Sequence, residues 1–209
     1  IFIANHVDVK EGELVYTDQV GEGDEFNELV LPRGGEYRLV LSDGTSVRLN
    51  SGSILRYPVS FSGKERTVEL SGEAFFEVAT DSLRPFSVKT DGLVVKAYGT
   101  SFNINPHKPG HVYTALVEGC VGVIIESSGQ EYEMTPSQLA DFNPTTNQLE
   151  IWTTDLSPYI SWVEGRFLFI NETLEQIMNT LSLWYDFEVL FEQEELRQLH
   201  FSGSMKRYE

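Results

Sequence analysis

The histidines His107 and His111 have the spacing in this chain that is most suggestive of metal chemistry. Two histidines four residues apart can share one metal ion when both project from the same face of a helix. Pro106, Pro109 and Gly110 surround them, and these residue types interrupt a helix. The sequence therefore predicts a solvated loop here. It predicts no metal and no cofactor anywhere in the chain.

Three glutamates, Glu69, Glu73 and Glu77, are the second candidate for chemistry, because paired carboxylates carry out glycoside hydrolysis. They flank the dipeptide Ser71-Gly72, which predicts a turn between two apolar strands and implies no cleft. We expect surface carboxylates. The sequence also contains no nucleophile elbow, phosphate-binding loop or zinc-ligand spacing, so we do not expect an enzyme.

Cys120 is the single cysteine and lies within the apolar stretch Leu116–Ile125. A single cysteine excludes an intramolecular disulfide and says nothing about the redox compartment. The apolar surroundings predict that Cys120 is buried as a small apolar side chain.

Aromatic residues are concentrated towards the C-terminal end: Trp152, Tyr159, Trp162, Trp184 and Tyr185. Such residues can form a platform for carbohydrate, but packing in a core or between domains is the favoured interpretation. Trp184 lies on the apolar face of a predicted helix, which predicts that it is buried. Tyr185 is less constrained and can be exposed.

The composition excludes several partner classes. Of the 209 residues, 41% are hydrophobic and 22% charged, as in a soluble globular protein, and the net charge is −17. A protein this acidic is repelled by phosphate backbones and by anionic lipid surfaces, so we expect no nucleic-acid binding. The apolar runs are far shorter than a membrane span. Because the chain starts at Ile1 without a signal peptide, we expect it to follow an upstream segment.

Alternating apolar residues and turn signals dominate the first two thirds of the chain. Tyr37, Leu39 and Leu41 recur at every second position, between Glu36, Arg38, Val40 and Ser42. Asp-Gly dipeptides at 43–44 and 91–92 favour tight turns. Runs of this kind recur about every ten residues, with no room for a helical crossover between them. The pattern predicts antiparallel sheets in a mainly β sandwich or roll. The expected strands are Glu36–Leu41, Ser46–Leu49, Ile54–Tyr57, Thr67–Leu70, Ala74–Val78, Phe86–Val88, Leu93–Tyr98, Phe102–Asn105, Val112–Glu118, Val121–Glu126, Tyr132–Met134, Leu139–Phe142 and Gln148–Thr153.

The last third of the chain changes character. A short strand at Phe167–Ile170 is followed by Asn171, a predicted N-cap, and then by an apolar helix face. That face comprises Leu174, Ile177, Met178, Leu181 and Trp184. The helix spans about three turns and is marginal alone, so it must dock on a sheet. Phe187, Val189 and Phe191 alternate as a further strand, and Phe201 begins another. The order predicts a small α/β (βαβ) domain.

These patterns predict three parts. Residues 1–27 form a linker or edge segment, residues 28–154 an all-β domain, and residues 155–209 part of a βαβ domain.

Several segments resemble a known family. PRGGEYRLVLSDGTSVRLNSGSILRYP, RTVELSGEAFFEV and YGTSFNI resemble the periplasmic region of FecR-type anti-sigma regulators of the Bacteroidetes type. GRFLFINETLEQIMNTLSLWYDFEVLFE resembles their small C-terminal domain, which is related to the short signalling domain of secretins and TonB-dependent transducers. The resemblance implies a twisted two-layer antiparallel roll followed by the α/β domain.

The chain departs from the family pattern at Ser137. Family members often have a glycine at this position of the turn Thr135–Gln138. A serine with positive φ is strained, so we expect another turn type here.

The resemblance also implies a function. The chain is expected to be the periplasmic sensor region of an inner-membrane anti-sigma regulator, anchored by one transmembrane helix that is not in this sequence. Its partners would be the signalling domain of an outer-membrane TonB-dependent transducer and, through a cytoplasmic domain also absent here, an ECF sigma factor. Partner binding by strand addition is expected along an open sheet edge formed by Tyr185, Phe187, Val189, Phe191, Phe201 and Met205.

Two alternatives stay open at this point. A secreted carbohydrate-binding β-domain protein would present an exposed row of aromatic residues beside a cleft. An adhesin-like β domain would act structurally. Both require a cleavable secretory signal upstream.

Overall fold

The computed structural model describes the backbone of residues 7–10 and 13–16 and all atoms of residues 25–106 and 110–207. His107 therefore lies outside the described residues. Within these ranges, no helix has the length and apolar character needed to cross a membrane.

The elements described as far as residue 153 are short strands. They are β1 Val7–Lys10, β2 Glu13–Tyr16, β3 Phe26–Val30, β4 Tyr37–Val40, β5 Ser46–Leu49, β6 Ile54–Pro58, β7 Arg66–Ser71, β8 Ala74–Glu77, β9 Phe86–Thr90, β10 Leu93–Ala97, β11 Ser101–Asn105, β12 Val112–Glu118, β13 Val121–Ile125, β14 Gln130–Met134, β15 Gln138–Asn143 and β16 Gln148–Thr153. In the described residues they form a nine-stranded sheet, in the order β1-β2-β4-β5-β8-β11-β12-β15-β16, and a seven-stranded sheet, in the order β14-β13-β10-β9-β7-β6-β3. We call residues 25–153 the β core.

The main hydrophobic core lies between these two sheets. Alternate residues of both sheets are fully buried in one apolar cluster. Phe76 of the nine-stranded sheet stacks on Phe102, with ring centroids 5.1 Å apart, and contacts Phe86 of the other sheet at 6.0 Å. The prediction of a mainly β, two-layer fold is confirmed, because each sheet buries one face of its alternating strands.

All thirteen strands expected from alternation are present, with boundaries shifted by two residues at most. The expectation of purely antiparallel sheets is wrong at two places, since β2 pairs with β4 and β7 pairs with β9 in parallel. The parallel pair β7–β9 needs no helical crossover, because the intervening strand β8 lies in the other sheet. Here β8, which lies in the other sheet, connects the two parallel strands. In an α/β fold, a helix makes this connection.

The Asp91-Gly92 turn is as predicted, with φ of 26° and 82° in the hairpin that joins β9 and β10. Cys120 differs from its prediction. It lies in the turn between β12 and β13 and is exposed, because the apolar stretch around it is two strands and not one.

Ser137 has a φ of +70°, so the expectation of another turn type is wrong. Pro136 precedes it, and the N–H of Gln138 donates to the carbonyl of Thr135 at 3.2 Å. A proline followed by a residue with positive φ is the pattern of a type II turn. The flanking strands β14 and β15 are each paired in a sheet, and they hold the serine in a backbone conformation that favours glycine.

We predict that Ser137→Gly raises the free energy of unfolding by about 1 kcal/mol, because glycine lacks the Cβ that strains the left-handed conformation. Urea unfolding followed by circular dichroism measures this. Ser128→Gly is the matched control, since Ser128 lies in another turn without a positive φ, and there glycine should lower stability. Equal effects of the two substitutions would contradict the assignment of strain to Ser137.

Between residues 154 and 207, the structure has two α-helices and two strands. α1 covers Ser157–Ile160, a 3-10 turn Ser161–Glu164, β17 Arg166–Thr173, α2 Leu174–Tyr185, a second 3-10 turn Glu194–Gln198 and β18 His200–Lys206. We call residues 154–165 the linker and residues 166–207 the C-terminal unit.

The small α/β character of the C-terminal unit is confirmed, but its details differ from the prediction. β17 and β18 pair antiparallel, and the segment Phe187–Phe191 is not a strand. The helix is capped by Thr173 in a capping box with Gln176, and not by Asn171. Asn171 instead has a φ of +54° at an irregularity in β17, and its N–H donates to the hydroxyl of Ser202. The strand continues past the predicted cap because Thr173 supplies a better one.

Candidate protein-interaction site

The outer face of the nine-stranded sheet carries a row of residues that are paired across neighbouring strands. The row runs Arg48, Phe75, Asn103, Ala115 and Leu139, on β5, β8, β11, β12 and β15. Directly opposed residues in antiparallel strands point to the same face, so these side chains form one continuous strip. A strip that contains three apolar residues must be covered.

The linker covers one end of this strip. Leu156, Tyr159 and Ile160 pack against Ala115 and Leu139 in a small apolar cluster on the outside of the sheet. Strand β12 is consequently buried on both faces for five successive residues. This explains why its sequence is apolar without strict alternation.

Tyr113 and Tyr159 belong to the same cluster, with ring centroids 5.6 Å apart. Burial raises the pKa of both phenols, and the nearby carboxylates of Asp141 and Glu172 raise it further. Both hydroxyls therefore stay protonated at neutral pH and keep their donor character.

Polar contacts hold the next part of the linker against the strip. The carboxamide of the fully buried Asn103 donates to the carbonyl of Tyr159 at 2.9 Å and accepts from the indole of Trp162 at 3.3 Å. Arg48 donates to the carbonyl of Val163 at 2.9 Å. The linker is thus bonded to the β core through two backbone carbonyls and the indole side chain of Trp162.

Glu73 lies beside this contact and does not behave as a simple surface carboxylate. It is half-buried and accepts from the carboxamides of Asn50, Asn103 and Asn105 at 2.5, 2.9 and 2.7 Å. Glu69 and Glu77 are exposed, as predicted. Three amide donors hold the Glu73 carboxylate in one orientation at the junction between the β core and the C-terminal unit.

Arg207 ties the C-terminal unit to the β core and the linker. Its side chain is 1% exposed and forms an ion pair with Glu36 of the β core at 2.7 Å. The guanidinium donates to the carbonyl of Trp162 at 2.5 Å and lies 3.1 Å from the centre of the Trp184 ring. Trp162 and Trp184 are therefore buried around a cation. Burial agrees with the interpretation that these residues pack in a core, whereas a carbohydrate platform requires exposed rings.

The β core also caps the end of α2. The N–H of Gly34 and the hydroxyl of Ser51 both donate to the carbonyl of Leu183, at 2.8 and 2.5 Å. The last carbonyls of a helix lack partners within the helix, so these donors replace an internal cap. Gly34 has a φ of +76°, and a Cβ there would lie 3.3 Å from the carbonyl oxygen of Trp184.

Within the C-terminal unit, the helix covers only part of the sheet. Phe167 and Phe169 of β17 pack against Trp184, with Ile177 and Leu181 beside them. Trp184 is the buried residue of α2, and the other apolar residues of its predicted face are half-buried. The two-stranded sheet is thus only partly covered, which leaves apolar surface beside the helix.

The six residues predicted for partner binding divide into two groups. Tyr185, Phe201 and Met205 are 49%, 48% and 43% exposed. The remaining three, Phe187, Val189 and Phe191, are half-buried in the unpaired segment after α2. The predicted edge is therefore supplied by β18, together with the end of α2.

Phe201 and Met205 lie on the face of β18 that adjoins the helix. Met205 is paired with Phe167, and Gly203 with Phe169, so Phe201, Gly203 and Met205 share the face that carries the buried phenylalanines. All seven residues of β18 are exposed, and in the described part of the chain β18 pairs only with β17. We call this exposed strand and face the β18 edge.

His111 pairs with Asp141 at 2.6 Å. No cluster of three metal-ligand side chains occurs in residues 25–106 and 110–207.

Comparisons with known proteins agree with this architecture. The family model described as "FecR protein" matches residues 28–122, and the model "FecR, C-terminal" matches residues 166–209. The chain belongs to the FecR family. No curated protein sequence matches it. Two crystal structures of a "putative anti-sigma factor" from Parabacteroides distasonis ATCC 8503, at 1.65 and 2.50 Å resolution, superpose with TM-scores of 0.78 and 0.75. In each comparison, the identity is 26%, over 88% of this chain and 86% of that chain.

Sequence reasoning missed two residues that organise this FecR-family junction. Arg207 follows Lys206 near the C-terminal end and has the appearance of a surface charge. Asn103 occupies an alternating strand at a position that is polar, and therefore expected to face solvent. Their burial depends on segments 45 to 171 residues away in the chain, so no local signal identifies them.

We predict that Arg207→Ala loosens the C-terminal unit of this FecR-family chain by about 3 kcal/mol, because it removes a buried ion pair and leaves Glu36 without its cation. Hydrogen exchange of β17 and α2 amides should accelerate about a hundredfold, with little change in the β core. Arg207→Lys should not restore protection, since one ammonium group does not reproduce the guanidinium fork.

Arg166→Ala is the control, because Arg166 is a half-exposed arginine of the same unit. An equal effect of Arg166→Ala and Arg207→Ala, or unchanged exchange in Arg207→Ala, would contradict the role of Arg207.

Proposed function

We propose that this chain is the periplasmic sensor region of a membrane-anchored anti-sigma regulator. The observation that carries the proposal is the match of both FecR models, one to the β core and one to the C-terminal unit, on a single chain. The likeness to the "putative anti-sigma factor" of P. distasonis along most of both chains supports it. Such a regulator acts by binding proteins and by shifting a conformational equilibrium, without chemistry in the sensor region.

In this proposal, the signal comes from the signalling domain of an outer-membrane TonB-dependent transducer. It passes through a single transmembrane helix to a cytoplasmic domain that holds an ECF sigma factor. The sensor region lies on the periplasmic side of the inner membrane. Its net charge of −17 is consistent with a part that avoids both DNA and anionic lipid.

The transducer would dock on the β18 edge. An exposed strand offers unpaired N–H and C=O groups, which an incoming strand satisfies by extending the sheet. Phe201 and Met205 add exposed apolar contacts on one face, and Tyr185 lies nearby, since its hydroxyl donates to the carbonyl of Arg207. Strand pairing would give affinity, and these side chains would give specificity.

The alternative of a secreted carbohydrate-binding protein requires an exposed row of aromatic residues beside a cleft. Trp162 and Trp184 are buried around Arg207. Trp152 is exposed on the edge strand β16, where it is paired with Leu139 of β15. The described residues therefore favour the regulator.

We predict that the double variant Phe201→Glu and Met205→Glu binds the transducer at least tenfold more weakly, because it places charge where apolar contacts are needed, a loss of about 1.4 kcal/mol or more. Calorimetric titration against the signalling domains of the same organism's TonB-dependent transducers measures this. Thermal unfolding of the β core should not change, since both residues are exposed.

Leu83→Glu is the matched control, because Leu83 is 89% exposed in a loop of the β core far along the chain from β18. Wild-type binding by the double variant would contradict the β18 edge as the docking surface. Absence of binding by the wild-type chain to every such domain would contradict the transducer as partner.

We further predict that the reading frame encodes, ahead of Ile1, one span of about 20 apolar residues preceded by a helical cytoplasmic segment. Sequencing the gene and scoring its hydropathy tests the membrane anchor directly. A cleavable signal peptide immediately before Ile1 would contradict the regulator and favour a secreted protein.

A further inference from the structure

A cavity of about 360 Å³ lies between the C-terminal unit and the β core. This volume is at the lower end of the range of small-molecule sites in proteins. Its walls come from the β core, the linker and the C-terminal unit. The β core supplies Asn50, Glu73 and Asn105, and the C-terminal unit supplies β17 and one face of α2.

The β17 wall is the edge of a strand and not one of its faces. Four successive residues of β17, 166–169, line the cavity, although successive side chains of a strand point to opposite faces. The cavity therefore abuts the backbone edge of β17. In the described part of the chain, β17 pairs only with β18, on its other side. The sheet has two strands, and an isolated two-stranded sheet is marginally stable.

The remaining polar lining is rich in carboxamides. Gln176 and Asn179 face the cavity from α2, and Asn50 and Asn105 face it from the β core. Asn105 donates to Glu73 through its nitrogen, so its carbonyl oxygen remains as an acceptor. Gln176 uses its oxygen in the capping box, so its NH₂ group remains as a donor. A carboxamide offers the same kinds of group as a peptide, an N–H donor and a C=O acceptor.

Apolar side chains complete the lining, with Trp162, Phe169, Leu183 and Trp184. The single cationic side chain of the lining is Arg166, which is paired with Glu164. Since Glu73 contributes a carboxylate, the cavity is unsuited to phosphate and to other anions.

We propose that this cavity binds a short, neutral, extended peptide segment of about three residues, which adds to the open edge of β17 as a third strand. The backbone of the peptide would bond to β17 on one side and to the carboxamides on the other. One apolar side chain would pack against the apolar part of the lining. This site is separate from the β18 edge, and the proposal does not depend on the assignment as a regulator.

The test uses the whole chain and a pool of blocked tripeptides, acetyl-Xaa-Ser-Xaa-amide, with Xaa as valine, leucine, phenylalanine or tyrosine. Titration is followed by ¹⁵N–¹H NMR up to about 10 mM, which detects weak complexes. We expect saturable shifts of the amides of residues 166–169. The same peptides N-methylated at the backbone should cause no shift, since they lack the donors of a strand.

Two variants of α2 locate the site. Asn179 is exposed and lies at the cavity, so Asn179→Trp should close it and weaken binding at least tenfold. Ser182→Trp is the matched control, because Ser182 is a half-exposed residue of the same helix that does not line the cavity. It should bind as the wild type does.

Three results with the peptides would overturn the proposal. They are no shift with any peptide, equal binding by the N-methylated peptides, and undiminished binding by Asn179→Trp. A neutral saccharide, N-acetylglucosamine, serves as a competing probe. Binding of this sugar at the cavity in place of the peptides would also overturn it.

Discussion

The buried guanidinium of Arg207 is the interaction on which the arrangement of the C-terminal unit depends. A buried charge is stable only when it is paired and hydrogen-bonded, and the partners of Arg207 come from three separate segments. Glu36 belongs to the β core, Trp162 to the linker and Trp184 to α2. These contacts are made together in one position of the C-terminal unit, because the guanidinium fork is planar and rigid.

The nine-stranded sheet imposes a second constraint. Its outer face carries a strip that includes Phe75, Ala115 and Leu139, and these residues need cover once the other face is buried in the core. The linker covers Ala115 and Leu139, and Asn103 bonds to it between Phe75 and Ala115 in the strip. The linker is thus part of the packed structure, and it carries Trp162 to the place where Arg207 bonds to it. In the proposed function, a partner on the β18 edge binds a strand whose next residue is this buried arginine.

Local patterns in the sequence predicted the elements well and their surroundings poorly. Alternation located thirteen strands, and the apolar spacing located α2, because both depend on which face of one element is buried. The apolar neighbours of Cys120 predict burial, yet it is exposed in a turn between two strands. The alternation of Phe187, Val189 and Phe191 predicted a strand, but no neighbouring strand is present to pair with it among the described residues. A strand needs a partner, and periodicity does not reveal one.

The sequence by itself determined the mainly β class, the small α/β end and, through its resemblance to a family, the expectation of a regulator. It also indicated Tyr185, Phe201 and Met205, which are exposed around the β18 edge. Tertiary structure alone decided that β7 and β9 run in parallel, that Asn103 and Arg207 are buried and that a cavity separates β17 from the β core. The physical reason is the distance along the chain over which each kind of interaction acts. Periodicity and turn chemistry act over a few residues, whereas a buried arginine is defined by a glutamate 171 residues away.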